Sequence, residues 1–194
     1  MKLAGPGAAP YLCRMRPVFA LLSILLFACA APSFAQPRHP PPKPAAPTAA
    51  APEQLGKFDD WIAATHKESG QTVCYAFTRA RNSTPVLPGR GEVVLTVAQR
   101  PSGRDAVAIS AGFEFPKGAA VTVQVDTAGL DFYTAQRNAF ARDGKAAVAA
   151  FGKGAEALAR SPGPRDGRVV VDTFSLRGFS AAYAAIAKAC PERR

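Results

Sequence analysis

Histidine is scarce in this chain. Only His39 and His66 occur in 194 residues, and His66 alone falls in the part that reads as a folded domain. That leaves no H-E-x-x-H zinc site, no clustered His/Cys/Asp metal pattern and no choice of bases for a nucleophile. A G-x-S-x-G elbow and a P-loop are also lacking, and Gly89-Arg90-Gly91 has no third glycine to complete a dinucleotide fingerprint. Asp59 and Asp60 are adjacent, and neighbours in an extended segment point apart, so they make a poor acid/base pair. His66, within His66-Lys67-Glu68-Ser69-Gly70, reads as a solvated turn residue. No catalytic, cofactor-binding or metal-ligating set is assigned, and no enzymatic activity is expected. Charge runs are missing too. Basic residues outnumber acidic ones by 24 to 14, but they are scattered singly, which argues against a nucleic-acid-binding tract.

What is present begins with targeting. Arg14 and Arg16 precede the apolar run Val18–Ala31, and Ser33 and Ala35 form an A-x-A-like cleavage pattern before Gln36. Residues 1–35 therefore read as a secretory signal peptide. The run is shorter than the ~20 residues of a membrane span. Met15-Arg16-Pro17 followed by that run makes a compact signal by itself, so the start is Met1 or Met15. Leu26-Phe27-Ala28-Cys29 resembles a lipidation box, with a bulky Phe27 where such boxes prefer small residues. Lipidation at Cys29 is thus the lesser alternative route to a membrane. Removing Lys2, Arg14 and Arg16 leaves 21 basic against 14 acidic residues, a net +7. Anionic envelope polymers or lipid head groups suit such a surface, and so does simple solubility.

Gln36 to Pro52 holds seven prolines in seventeen residues. It favours extended polyproline II and reads as a spacer or a plain tail. Deleting it is expected to leave the domain's stability nearly unchanged. The domain is assigned to residues 53–194 and carries +5, because Arg38 and Lys43 lie in the linker.

Within the domain, short alternating segments are divided by Pro- and Gly-rich turns. Thr72–Thr78 places Val73, Tyr75 and Phe77 on one face and Cys74 on the other. Val93–Gln99 follows after a loop from Asn82 to Gly91. Val107–Phe115 puts Val107, Ile109, Ala111, Phe113 and Phe115 on one face, and Ala120–Asp126 alternates Val121, Val123 and Val125 with polar residues. Leu130–Thr134, Ala155–Arg160 and Val169–Leu176 complete the strands. This spacing predicts a mainly β antiparallel sandwich or barrel. Alanines between Lys145 and Phe151 predict one short internal helix. Phe179, Tyr183, Ile186 and Cys190 recur at helical steps, Ser180 is placed as the cap, and Pro191 ends a C-terminal helix.

With the signal removed, Cys74 and Cys190 remain, an even pair in an exported chain, and a disulfide between them is expected. It would clamp the last helix across an early strand.

Several stretches resemble the invasion-associated locus B family of bacterial envelope proteins. They are Phe58-Asp59-Asp60-Trp61, Val73-Cys74-Tyr75 and the motif Ser175-Leu176-Arg177-Gly178-Phe179 running on to Tyr183, and the likeness covers about residues 55–190. The resemblance implies an immunoglobulin-like β-sandwich in the periplasm or at the outer membrane of a Gram-negative bacterium, with a link to host interaction and no enzymatic activity. It marks Trp61, Ser175, Leu176, Gly178, Phe179 and Tyr183 as structural positions. Many members carry further cysteines where this chain has Thr65 and the segment Phe132–Phe140, so those bridges are not expected here. The function expected is binding of an envelope component or host surface molecule, with a ligand-free structural or stress role, or a hydrolase, as alternatives.

Overall fold

The structure is a computed structural model and describes residues 51–164 and 167–192. The segment read as a signal peptide, with Cys29, and the segment read as a linker up to residue 50 lie outside the described residues.

Two tight hairpins open the domain. β1 (Glu53–Phe58) and β2 (Trp61–Glu68) are joined by Asp59-Asp60, and β2 and β3 (Gln71–Arg79) by Ser69-Gly70. Asp59, Ser69 and Gly70 all have positive φ, as two-residue hairpin turns require. The sequence reading placed His66 in a turn; it lies instead in β2, opposite Val73, because the turn falls three residues later. Neither β1 nor β2 was anticipated as a strand.

The remaining strands are β4 (Asn82–Thr84), β5 (Val94–Arg100), β6 (Gly103–Ser110), β7 (Ala120–Val125), β8 (Ala128–Ala135), β9 (Asn138–Ala141), β10 (Glu156–Pro162) and β11 (Val169–Ser175). All pair antiparallel in one sheet of order β1-β2-β3-β5-β6-β9-β8-β7-β10-β11-β4. β4 was expected to be loop. It is the continuation of β3 past a corner at Ala80-Arg81, where the Ala80 amide donates to Val93 O at 2.9 Å and the Arg81 amide to Thr173 O at 2.8 Å. The chain of β3 thus runs on into the last strand of the ladder, and the sheet folds back on itself as a sandwich with β1 and β4 at its edges.

The segment expected as strand Val107–Phe115 stops at Ser110, because Gly112 has φ of 73°. Ala111, Phe113 and Phe115 stay buried nonetheless, since the Ala111 and Phe115 amides donate to Arg137 O and Gln136 O.

The core gathers Trp61, Leu95, Val97, Val107, Ile109, Val121, Val123, Phe132 and Phe174 into one cluster. α1 (Gly144–Phe151) is capped by Asp143, which accepts from the Ala146 amide. α2 (Phe179–Ala189) starts at Gly178, with no side-chain cap, so Ser180 is not the cap that was expected. Phe151 of α1 and Phe179 and Ile186 of α2 enter the same cluster as Ala63, Cys74 and Ala76. On the inner side, α2 lies against β1, β2, β3 and β5, and α1 against β6 and β8. The outer face of those strands has no helix over it among the described residues.

Candidate functional site: an aromatic-walled trough on the outer sheet

The residues marked from the sequence converge, but on a structural lock. The Trp61 indole N–H donates to Ser175 O at 2.9 Å, and the Ser175 hydroxyl donates to an Asp60 carboxylate oxygen at 2.7 Å. Phe179 meets Trp61 edge-on at 4.9 Å between centroids and Phe151 at 5.6 Å. Gly178 has φ of 84°, and a Cβ there would collide with the Phe58 carbonyl. The β1–β2 turn and the β11–α2 turn are thus one packed unit. Leu176 is buried beneath it. The Tyr183 hydroxyl donates to Asp105 Oδ1 at 2.7 Å, where the Gln99 amide also donates. Burial, and then the Asp105 carboxylate, push the Tyr183 hydroxyl up to about 12. The Ser175 hydroxyl, and to a lesser degree Arg81 and Arg177, hold Asp60 below the usual carboxylate range, against its partial burial.

Cys74 and Cys190 form a disulfide with 5.9 Å between Cα atoms. It ties the end of α2 to the inner face of β3. Arg104 reinforces this end by donating to Cys190 O at 2.8 Å.

These contacts lock the fold. His66 has one defined contact, an edge-to-face meeting with Tyr75 at 5.2 Å; among the described residues no carboxylate is hydrogen-bonded to it. No group of three His, Cys, Asp or Glu able to hold a metal occurs among the described residues.

The outer face is different. Strand alternation turns Val73, Tyr75 and Phe77 away from the core side of Cys74 and Ala76. The ladder then sets Tyr75 opposite Ala98, Ala98 opposite Ala106, Phe77 opposite Thr96, Thr96 opposite Ala108, Ala108 opposite Phe140, and Phe140 opposite Tyr133. Small residues of β5 and β6 form a floor, and aromatics of β3 and of β8–β9 stand on either side. Tyr75 and Phe77 stack at 6.0 Å, and Tyr133 and Phe140 lie 5.5 Å apart. The trough holds about 590 Å³ and is lined by Tyr75, Thr96, Ala98, Ala106, Ala108 and Phe140 together with His66, Lys67, Arg100, Ala51 and Pro52, while Phe77 and Tyr133 stand beside it on the same face. Val73 is 2% exposed and Ala98 4%, yet neither belongs to the core cluster. Tyr133, by contrast, is 46% exposed. Arginines cap both walls, with the Arg79 and Arg142 guanidinium carbons each 5.7 Å from the Phe77 and Tyr133 ring centroids.

The sequence already set Val73, Tyr75 and Phe77 on one face. It did not reveal Phe140, Tyr133 or the alanine floor, because they come from strands joined only by the ladder. An apolar floor between aromatic walls, with cations at its ends, suits a ligand that stacks and is held by contact area.

The described residues form a small, mainly β sandwich with a hairpin-to-helix lock and an aromatic outer face. The chain belongs to the invasion associated locus B (IalB) protein family, whose family model matches residues 61–187. The crystal structure of invasion associated protein B from Bartonella henselae has the same fold, with a TM-score of 0.52 at 18% identity over 69% of this chain and 95% of that one. No curated protein matches the chain.

Proposed function

We propose that this is a non-enzymatic, exported envelope protein that engages another envelope or surface component through the outer trough. The observation that carries the reading is the floor of Thr96, Ala98, Ala106 and Ala108 between Tyr75 and Phe140, which no helix covers among the described residues. Membership of the invasion-associated family supports an envelope role linked to host interaction. The basic residues Lys67 and Arg100, at one end of the trough, favour a counter-surface carrying negative charge. The periplasm or outer membrane, reached through the N-terminal signal, is the compartment that fits.

The test compares binding of the wild-type domain and a Tyr75→Ala/Phe140→Ala variant to isolated outer membranes and to purified sacculi. Removing two stacking side chains is expected to weaken binding at least about tenfold, at ~1–2 kcal/mol for a buried aromatic contact. The melting temperature should move little, since both rings lie outside the core cluster. Equal binding by the two proteins would instead support a structural envelope role without a ligand at this face.

A further inference from the structure

We propose that the trough takes the acidic glycan of the cell's own wall: a saccharide ring lies on the alanine floor between Tyr75 and Phe140, and a carboxylate of the same polymer meets Lys67 and Arg100. This rests on the reading of the trough as a binding surface and names the class of its ligand.

Three observations carry the choice. First, the trough is apolar but holds a few polar groups. Tyr75, Thr96 and His66 line it and bring two hydroxyls and an imidazole to an otherwise apolar surface. Among the described residues none of the three side chains makes a hydrogen bond to the protein. The defined contacts of Tyr75 are with rings, 5.2 Å to His66 and 6.0 Å to Phe77 between centroids. An acyl chain laid here would strip water from these groups and return no hydrogen bond, which is costly. A saccharide ring carries C–H groups on its faces and hydroxyls round its edge. It rests on alanines and aromatic rings and still satisfies a tyrosine, a threonine and a histidine.

Second, the floor is a sheet face of small side chains. Thr96 and Ala98 of β5 lie opposite Ala108 and Ala106 of β6, and the backbone groups of both strands are committed to the ladder. An extended peptide therefore finds no free edge to pair with here. The strands that carry Tyr75 and Phe140, β3 and β9, are three spacings apart, roughly 14 Å, which leaves room for a ring between the two walls. Third, one end of the trough is positive. Arg100 meets Glu68 at 3.2 Å, with side chains 39% and 51% exposed, and a pair so exposed is weak. Lys67 donates to the Thr72 hydroxyl at 2.7 Å and has no carboxylate partner among the described residues. One positive charge is thus left unanswered, which selects a ligand bearing a carboxylate over a neutral one. For an exported chain of net positive charge, the wall is the anionic glycan within reach.

The experiment adds soluble muropeptides, released from sacculi by a muramidase, to the isotope-labelled exported chain. The readout is the NMR resonances of the Phe140 ring and the Ala106 and Ala108 methyls. Sialyllactose, chitotetraose and phosphatidylglycerol vesicles stand for an acidic glycan of host type, a neutral glycan and an anionic lipid. The proposal predicts saturable shifts of all three groups with muropeptides, and chitotetraose binding at least about tenfold weaker. Tyr75→Phe removes only a hydroxyl and should weaken muropeptide binding about two- to tenfold. Lys67→Gln/Arg100→Gln should erase most of the preference over chitotetraose. Absence of shifts with muropeptides, or shifts with sialyllactose or vesicles alone, would overturn the proposal. If binding to outer membranes or sacculi still depends on Tyr75 and Phe140 in that case, the trough stands as a binding face and only the wall glycan is lost. If Tyr75→Ala/Phe140→Ala binds both as the wild type does, the binding role of the trough is lost and the glycan with it.

Discussion

Trp61 and Ser175 are 114 residues apart, and a 2.9 Å hydrogen bond joins the indole of one to the backbone of the other. Through that bond the first hairpin holds the turn into the last helix, so the stretches Phe58–Trp61 and Ser175–Phe179 form one contact. Gly178 completes the contact, since only a residue without Cβ clears the Phe58 carbonyl at φ of 84°. Trp61→Phe, which keeps a ring but strands the Ser175 carbonyl, should cost about 1–3 kcal/mol. Gly178→Ala adds left-handed strain to a backbone collision and should cost about 2 kcal/mol or more. Denaturant unfolding of both variants checks the order, and a neutral Gly178→Ala would contradict it.

Arg90 and Asp172 form a buried pair, with two hydrogen bonds of 2.7 Å and side chains 6% and 3% exposed. Arg90 also donates to Ala111 O and lies over the Phe113 ring, 4.8 Å from its centroid. The pair pins the long loop after β4 to β11. Arg90→Met alone should destabilise by about 3–5 kcal/mol, because it leaves a buried carboxylate uncompensated. Arg90→Met/Asp172→Leu should recover most of that loss. Similar stability of the single and double variants would show that the charge, once unpaired, finds water.

The disulfide closes a 116-residue span. Chain entropy sets an upper figure of roughly 4–5 kcal/mol for such a loop. Cys190→Ser is expected to loosen α2 first, seen as faster amide exchange in Phe179–Ala189 while β5 and β6 stay protected. Mass spectrometry of the unreduced protein should find one internal disulfide and no free thiol. Uniform loss of protection across the sandwich would show that helix and sheet unfold as one unit.

Two groups set pH limits. Asp60 is held below its unfolded value, chiefly by the Ser175 hydroxyl. The unfolded state therefore takes up more protons below about pH 4, and this stability is lost as pH falls through the folded value. Tyr183 is raised to about 12, chiefly by burial and then by Asp105. Its contribution is whole below about pH 10 and disappears as pH rises toward 12. Asp60→Asn should flatten the acid limb of a stability–pH profile and Tyr183→Phe the alkaline limb. An unchanged limb in either variant would assign it to other groups.

The sequence alone determined the local pieces. Alternation located β3, β5, β7, β8, β10 and β11, alanine content located α1, and apolar residues at helical steps located α2, because each signal depends on neighbours within a few residues. The pairing of Cys74 with Cys190 was legible from cysteine count and export. Tertiary structure decided the rest. β4 is a strand only because Thr173 lies beside Arg81, and Gly178 is required only because the Phe58 carbonyl of a distant hairpin comes up against it. Most of all, β3 is apolar on both faces, so hydrophobicity could separate Val73, Tyr75 and Phe77 from Cys74 and Ala76 without saying which set lies inside. The helices and the disulfide chose Cys74 and Ala76 for the core. That choice left the aromatic set outside, where the ladder brought it onto one face with Phe140 and Tyr133.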